Sequence, residues 1–429
     1  MISKSLLLKI FNGACMQRWN DKLRPIELTE MDKQAHKMMI AYFLGKIEEE
    51  EGGEKVDWIQ IIEGGIYEYL LRTVLTDIKP PIFYKIKEQS KEYQKLMKWA
   101  YEQWEMVICD FEKIFFNNFI SYFSQDNGNI NRRILSAAHF RATMWEYNIL
   151  RQFNSADYEE GEIKKRLTDE YKKFNSLRGI KRLYSEERKD KRNKPITQLI
   201  DLCGQLRYQL RWAHIHRMPR TSVLGHLLFV AIITYLFSVR KKPEGTYCEK
   251  RLFNNFFTGL FHDLPEVLTR DIISPVKRSI SGLSDIIKKE EMTQMNDKII
   301  RLLPEYMKKE MMLFTGILPL SGGKIETVSE FDDVWYAKKQ WVISNKGIPI
   351  ECNKDTYDPR DGELVHAADQ LAAFIEAFVA IENGCSSKEL HEALHELRPK
   401  LDDQKEERKP KKIPTKDIFK IVNPIYSEF

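Results

Sequence analysis

The sequence predicts a mainly α-helical fold with one small departure. Along most of the chain, apolar residues recur at three- and four-residue spacing with charged residues between them, as in residues 97–104. Two short runs instead have strand character, Val334 to Tyr336 and Trp341 to Ile343, and a turn signal follows at Asn345 to Gly347. We therefore expect helices throughout and a small β-hairpin insertion at about residues 325–355.

Length and composition indicate more than one domain. A chain of 429 residues with 43% apolar content can bury two or three large cores. Between Tyr158 and Lys194 the composition shifts to Glu, Lys and Arg, and we interpret the basic run 186–192 as a solvated helix or linker rather than a nucleic-acid contact. The expected organisation is helical domains over 1–157 and 196–397, a charged helical linker over 158–195 and a charged extension over 398–429.

The bulk properties favour a cytoplasmic protein without nucleic-acid or membrane partners. The six cysteines include no C-x-x-C pair, which argues against a disulfide framework and a zinc ribbon. The longest apolar run, Val223 to Phe237, is too short to span a bilayer and contains a histidine. A net charge of +5 does not by itself predict nucleic-acid binding, but it is compatible with small anionic substrates.

Four polar residues stand in strongly apolar surroundings in the second half. His226 interrupts an apolar helical segment, His262-Asp263 ends another just before a proline, and Asp369 lies in a helix of small and apolar residues. Burial of such groups requires a cation or several hydrogen-bond donors, although His226 alone could be a neutral core histidine bonded to a backbone carbonyl. A shared divalent ion would satisfy all four, and mixed N and O ligands suit Mn, Co, Fe, Zn or Ni better than Ca.

The ordered set resembles a known superfamily. Arg211-Trp212 precedes His226, and His262-Asp263 continues through Glu266, a Val-Leu-Thr stretch and Asp271 to a Pro-Val-Lys that ends at Lys277. These motifs resemble the HD-domain phosphohydrolases, and within them the bacterial 5′-deoxynucleotidases of the YfbR type. The resemblance covers roughly residues 200–395 and departs from the family in the extra length between Asp271 and Asp369.

The resemblance implies a role for each matched residue. His226, His262, Asp263 and Asp369 would ligate the metal, and Glu266 would position or deprotonate the attacking water. The nucleotide would be held by four further residues, although core packing is the alternative for the tryptophan: Arg211, Trp212, Asp271 and Lys277.

The first half looks like a degenerate copy of the second. Arg18-Trp19 precedes His36 much as Arg211-Trp212 precedes His226, and residues 74–81 and 135–140 echo the later motifs. Where His-Asp should stand the chain has Glu68-Tyr69, and His139 replaces the last carboxylate. We expect a catalytically inactive domain, with an altered site of His36, Glu68 and His139 as the alternative. The halves would form an intramolecular pseudo-dimer, with a homo-oligomer also possible.

These features favour a metal-dependent phosphohydrolase that removes phosphate from nucleoside or deoxynucleoside 5′-monophosphates. One alternative is a triphosphate or alarmone hydrolase, which would need further basic residues such as Arg217 at the site. Another is a nucleotide-binding regulatory protein with little turnover.

Overall fold

The computed structural model describes residues 2–76, 78–109, 111–124, 128–188, 195–240, 247–270, 280–319 and 325–401. Within these ranges the chain is helical except for four short strands and the connecting loops. The predicted mainly α fold class is confirmed.

The first half is built from helices that surround one central helix, α2. Its helices are α1 (Lys4–Phe11), α2 (Glu30–Glu50), α3 (Trp58–Leu75), α4 (Pro80–Glu88), α5 (Ser90–Cys109), α6 (Lys113–Ser124), α7 (Ile130–Leu150), α8 (Glu160–Lys172), α9 (Arg178–Glu187) and α10 (Pro195–Gln205). Helix α7 packs along α2, and α3 and α9 pack against α2 from other sides. The segment expected to be a linker, 158–195, contains α8 and α9, which pack on α7 and α2.

The second half is built around helix α11. Its elements are α11 (Val223–Val239), α12 (Glu249–Phe261), α13 (Glu266–Thr269), α14 (Leu283–Lys298), α15 (Glu305–Phe314), β1 (Ile317–Pro319), β2 (Ile325–Thr327), β3 (Asp333–Ala337), β4 (Gln340–Ser344), α16 (Gly362–Glu382) and α17 (Lys388–Leu401). Strands β1 and β2 pair antiparallel, as do β3 and β4, whose register places Trp335 opposite Val342. Helices α12 and α16 both pack on α11.

The two central helices begin in the same way and meet each other. Thr29 caps α2 and Ser222 caps α11, each with a side-chain oxygen that accepts from the backbone N–H three residues later. At the crossing, Ser222 Oγ donates to Asp32 Oδ1 over 2.6 Å. Gly225 permits this approach, since a Cβ there would lie 2.7 Å from the same carboxylate oxygen. The halves therefore share one continuous hydrophobic core.

A second link between the halves surrounds Tyr42 on α2. Its ring lies among phenylalanines of α12 and α15, including Phe257 at 5.1 Å and Phe314 at 5.7 Å between ring centroids. Its hydroxyl donates to Glu310 Oε2 over 2.9 Å, and Lys250 Nζ donates to the other carboxylate oxygen over 2.7 Å. Aromatic packing and a neutralised carboxylate thus hold the halves together at this point.

Helix α16 is the one described helix that is long and apolar enough to cross a membrane, and 67% of its most apolar window is buried inside the molecule. It packs against α11 and α12, so its apolar residues fill the core of the second half.

Candidate metal centre

Three helices of the second half bring polar groups to one point. His226 lies one turn into α11, His262 follows the last residue of α12, and Asp369 lies about two turns into α16. One ligand atom from each lies within 4.8 Å of the others, and no other group of His, Cys, Asp and Glu in the described ranges meets this criterion. Ligands that share one ion at about 2.1 Å are at most about 4.2 Å apart, so a small contraction suffices for a common ion.

Backbone and side-chain acceptors fix the orientation of both imidazoles. Nδ1 of His262 lies 3.0 Å from the carbonyl oxygen of Gly259, and Nδ1 of His226 lies 3.2 Å from Glu376 Oε1. An N–H at each Nδ1 leaves the lone pair on Nε2, which is the arrangement a metal ligand requires. Nε2 of His262 is buried 3.3 Å from Asp263 Oδ2, and Nε2 of His226 lies 2.8 Å from Asp369 Oδ1.

The electrostatics of the cluster favour a cation. Asp263 Oδ2 lies 3.3 Å from His262 Nε2. Burial alone would lower the pKa of His262, but the Asp263 carboxylate outweighs burial and raises that pKa to about 9. The pKa of Asp369 is lowered, against the effect of its burial, by the hydrogen bond from His226. A divalent ion can take the place of the positive charge that these carboxylates otherwise draw from the imidazoles, so the donor set fits such a metal.

Glu376, which none of the sequence motifs indicated, lies under the cluster. It follows Asp369 by two turns of α16 and is fully buried. Its Oε1 accepts from Thr221 over 3.0 Å and faces His226 Nδ1, while Oε2 accepts from the Nε of Arg211 and the Nε1 of Trp212. The only sequence signal is a glutamate seven residues after Asp369 in an otherwise apolar helix, where burial demands cationic or N–H partners.

The structure places the Arg-Trp pair beside the cluster. Arg211 Nε lies 3.2 Å and Trp212 Nε1 lies 2.8 Å from Glu376 Oε2. Burial acts to raise the pKa of Asp263, but the charges of His262, His226 and Arg211 together lower it. Arg217 is buried and donates to the carbonyl oxygen of Pro219, so it is part of the supporting structure rather than an exposed basic group.

Of the other predicted site residues, the structure describes Glu266 but not Asp271 or Lys277. Glu266 is the first residue of α13 and is buried, and its backbone N–H donates to the Asp263 carbonyl oxygen over 3.0 Å. Its carbonyl oxygen accepts from Gln209 Nε2 over 2.8 Å, which anchors the turn that carries Asp263. Asp271 and Lys277 lie outside the described residues.

The first half has the same supporting structure as the second. Arg18 Nε and Trp19 Nε1 both donate to Glu146 Oε2, over 3.0 and 2.9 Å. Trp19 and Trp212 each have a left-handed backbone, with φ of 54° and 57°. A bulky residue rarely adopts this conformation. The fact that both tryptophans adopt it indicates that they occupy equivalent positions in the two halves.

The same register holds at the starts of the central helices. Gln17 forms an isolated antiparallel bridge with Thr29, and Leu210 forms one with Ser222. Thr29 and Ser222 are the N-caps already described. The two segments therefore have the same spacing between the bridge and the helix cap.

This register corrects the equivalence drawn from the sequence. Lys33, not His36, stands four residues after its helix cap, as His226 does. Lys33 Nζ contacts His139 Nδ1, just as His226 contacts Asp369. His36 is directed elsewhere, with its Nε2 2.9 Å from the Ile200 carbonyl oxygen. The first half thus has a lysine where the second has a candidate metal ligand.

Parts of the chain are similar to known proteins. Residues 203–398 match the sequence profile of the HD domain family. The chain is 31% identical over 132 residues to a dATP triphosphohydrolase of Acinetobacter phage SH-Ab 15497, covering 29% of this chain and 60% of that protein. It is 28% identical over 102 residues to a 5′-deoxynucleotidase of Photobacterium profundum, covering 23% of this chain and 50% of that protein.

Residues 203–398, a little under half of the chain, are thus similar to the HD domain. They resemble the HD-domain phosphohydrolases, including those of the YfbR type, as the sequence motifs predicted. The chain spans only 50–60% of the length of these two relatives.

Proposed function

We propose that this chain is a metal-dependent phosphohydrolase that releases phosphate from nucleoside or deoxynucleoside 5′-monophosphates. The observation that supports it most is the convergence of His226, His262 and Asp369, each from a different helix, on one point. Asp263 completes the proposed ligand set, and its carboxylate lies against His262. The proposed metal is a transition ion such as Mn, Co, Fe, Zn or Ni, and the proposed setting is the cytoplasm.

A divalent cation held by His226, His262, Asp263 and Asp369 would polarise the phosphoryl oxygen and make a water molecule more acidic. In the proposed reaction Glu266 accepts the proton of the attacking water, because its carboxylate is buried directly after the turn that carries Asp263. Arg211 balances the negative charge of the phosphate, and Trp212 packs against the sugar or base. Asp271 and Lys277 are proposed to contact the substrate as well. Glu376 holds His226, Arg211 and Trp212 in one arrangement.

A second candidate function is hydrolysis of a nucleoside triphosphate. It is favoured by the similarity to a relative named as a dATP triphosphohydrolase. Both reactions break the bond between O5′ and the α-phosphorus and leave a nucleoside, but a triphosphohydrolase releases tripolyphosphate from dATP and a monophosphatase releases orthophosphate from dAMP. The products from dAMP and dATP therefore distinguish them.

The test is a product assay on the full chain with Mn, Co, Ni or Zn, combined with measurement of bound metal. We expect His262→Ala and Asp263→Ala to lose both metal and turnover, because each removes a proposed ligand. Glu266→Ala should retain metal and lose turnover by about 100-fold or more. Lys165→Ala, a substitution on the exposed side of α8, is the control and should change neither. Normal turnover in the two ligand variants contradicts the proposal, and tight nucleotide binding without any product supports the regulatory alternative.

A further inference from the structure

A large cavity opens over the supporting structure of the first half. Its volume is about 650 Å³, which is in the range of small-molecule sites. Its walls come from α3, α4, α7 and α8 and include Trp19, Arg72 and His139. The cavity therefore lies at the position that corresponds to the metal centre of the second half, and the enzymatic proposal does not use it.

The chemistry at and beneath the floor of this cavity is that of an anion site rather than a cation site. Lys33 stands at the position of His226, and Lys37 Nζ donates to Glu68 Oε2 over 2.7 Å. Glu68 is itself the counterpart of His262, since each lies eight residues before a left-handed helix cap, Thr76 or Arg270. Lysine amino groups thus stand at the positions where a metal site would need imidazole or carboxylate ligands.

His139 changes from acceptor to donor in this setting. Burial, together with the charges of Lys33 and Lys37, holds the pKa of His139 well below its ordinary value, so the ring is neutral. Its Nδ1 lies 2.5 Å from Lys33 Nζ, and donation by Lys33 to Nδ1 would leave the ring proton on Nε2. A neutral histidine with an N–H at Nε2 can donate to a phosphate oxygen, whereas it offers no second lone pair to a metal.

The walls supply further cations that are only partly neutralised. Arg72, the counterpart of Glu266, lies 3.8 Å from Glu30, a carboxylate that also pairs with Arg18 at 2.7 Å. Arg166 on α8 and Lys87 on α4 line the cavity without an ion pair to any carboxylate of the described residues. These cations suit the several oxygens of a phosphate group.

The remaining wall is aromatic. Phe83, Tyr93, Phe123 and Phe140 line the cavity together with Trp19. Flat apolar surfaces of this kind bind a planar ring by stacking or edge contacts. A ligand that contacts both the cationic and the aromatic side chains of the cavity would carry a phosphate at one end and a planar ring at the other.

We propose that the cavity of the first half binds a nucleoside phosphate without a metal ion, as a second ligand site separate from the metal centre. The retained left-handed backbone at Trp19 and the buried Arg18–Glu146 pair support this assignment, because a strained and charged arrangement is costly to keep in a domain that only packs.

The test measures binding of mant-dATP, a fluorescent nucleoside triphosphate, to the full chain in excess EDTA. Binding should persist in EDTA, and Arg166→Glu and Arg72→Glu should each raise the Kd about tenfold or more. The matched control is Lys165→Glu, which makes the same charge change at the neighbouring, exposed position of α8 and should leave the Kd within about twofold. Thermal melts of the variants confirm that each remains folded.

Competition identifies the chemical class. Unlabelled dAMP should displace the probe more effectively than deoxyadenosine or inorganic phosphate alone. Equal displacement by deoxyadenosine overturns the assignment of a phosphate subsite, and equal displacement by inorganic phosphate overturns that of a nucleoside subsite. Absence of binding in EDTA, or equal affinities for Arg166→Glu, Arg72→Glu and Lys165→Glu, overturns the proposal as a whole. None of these readouts depends on turnover.

Discussion

Glu376 offers the sharpest test of how the candidate metal centre is held. Its carboxylate faces His226 Nδ1 at 3.2 Å and accepts from Arg211 and Trp212 at 3.2 and 2.8 Å. Arg211 and the other partners lower the pKa of Glu376 well below its ordinary value, although burial acts to raise it. Replacement by Gln preserves the shape of the side chain but removes the charge that orients the imidazole.

We expect Glu376→Gln to weaken metal binding about 10- to 100-fold, because this is the usual effect of losing the partner of a ligating histidine. That factor corresponds to about 1.4 to 2.8 kcal/mol of binding free energy. The same change should lower the free energy of unfolding by about 1 to 3 kcal/mol, because Arg211 loses its charged partner. Metal affinity is measured by chelator competition on metal-free protein, and unfolding by urea titration.

The first half provides a matched control. Glu146 is equally buried and accepts from Arg18, Trp19 and Arg207. Glu146→Gln should therefore cost a similar amount of stability and leave metal affinity unchanged. Equal loss of metal affinity in both variants, or wild-type affinity in Glu376→Gln, refutes the assignment of Glu376 as the residue that positions His226.

Two further predictions concern the contact between the halves. Burial raises the pKa of Glu310, but the charges of Lys250 and Lys46 outweigh burial and lower this pKa below its ordinary value. The ionised carboxylate therefore stabilises the fold at pH values above the unfolded-state pKa. This stabilisation is lost as the pH falls through the lower pKa of the folded state. Glu310→Gln should thus reduce the free energy of unfolding by about 1 to 3 kcal/mol at pH 7, and the difference from wild type should shrink between about pH 5 and pH 3 in urea titrations; a difference independent of pH contradicts the argument. Gly225→Ala should destabilise by about 1 to 3 kcal/mol, because its Cβ would lie 2.7 Å from Asp32 Oδ1, whereas Gly161→Ala in α8, with open space at the Cβ position, should be neutral or stabilising by up to about 1 kcal/mol. Thermal melts that rank the two alanine variants in the opposite order would show that the α2–α11 crossing is not tightly packed.

The sequence was most informative at polar residues that lie in strongly apolar segments. His226 and Asp369 could be selected because an imidazole and a carboxylate in apolar helices need a partner, and the structure brings them to 2.8 Å from each other. The mainly α fold followed from the helical spacing of apolar residues. Glu376 carries the same conflict but belongs to none of the motifs, and its role depends on Arg211 and Trp212, whose approach only the tertiary fold reveals.

The equivalence of the halves shows why spacing alone misled. A histidine was available near the expected position in α2, and matching residue type favoured His36. The backbone decides differently, because the Gln17–Thr29 bridge and the cap at Thr29 fix the register and bring Lys33 to the place of His226. A sequence motif is matched by residue type. A helix cap instead fixes where the helix begins, and therefore the direction in which each following side chain projects. The exchange of histidine for lysine at that position puts an amino group in the place of an imidazole, and the proposed difference between the anion site and the metal centre depends on this change.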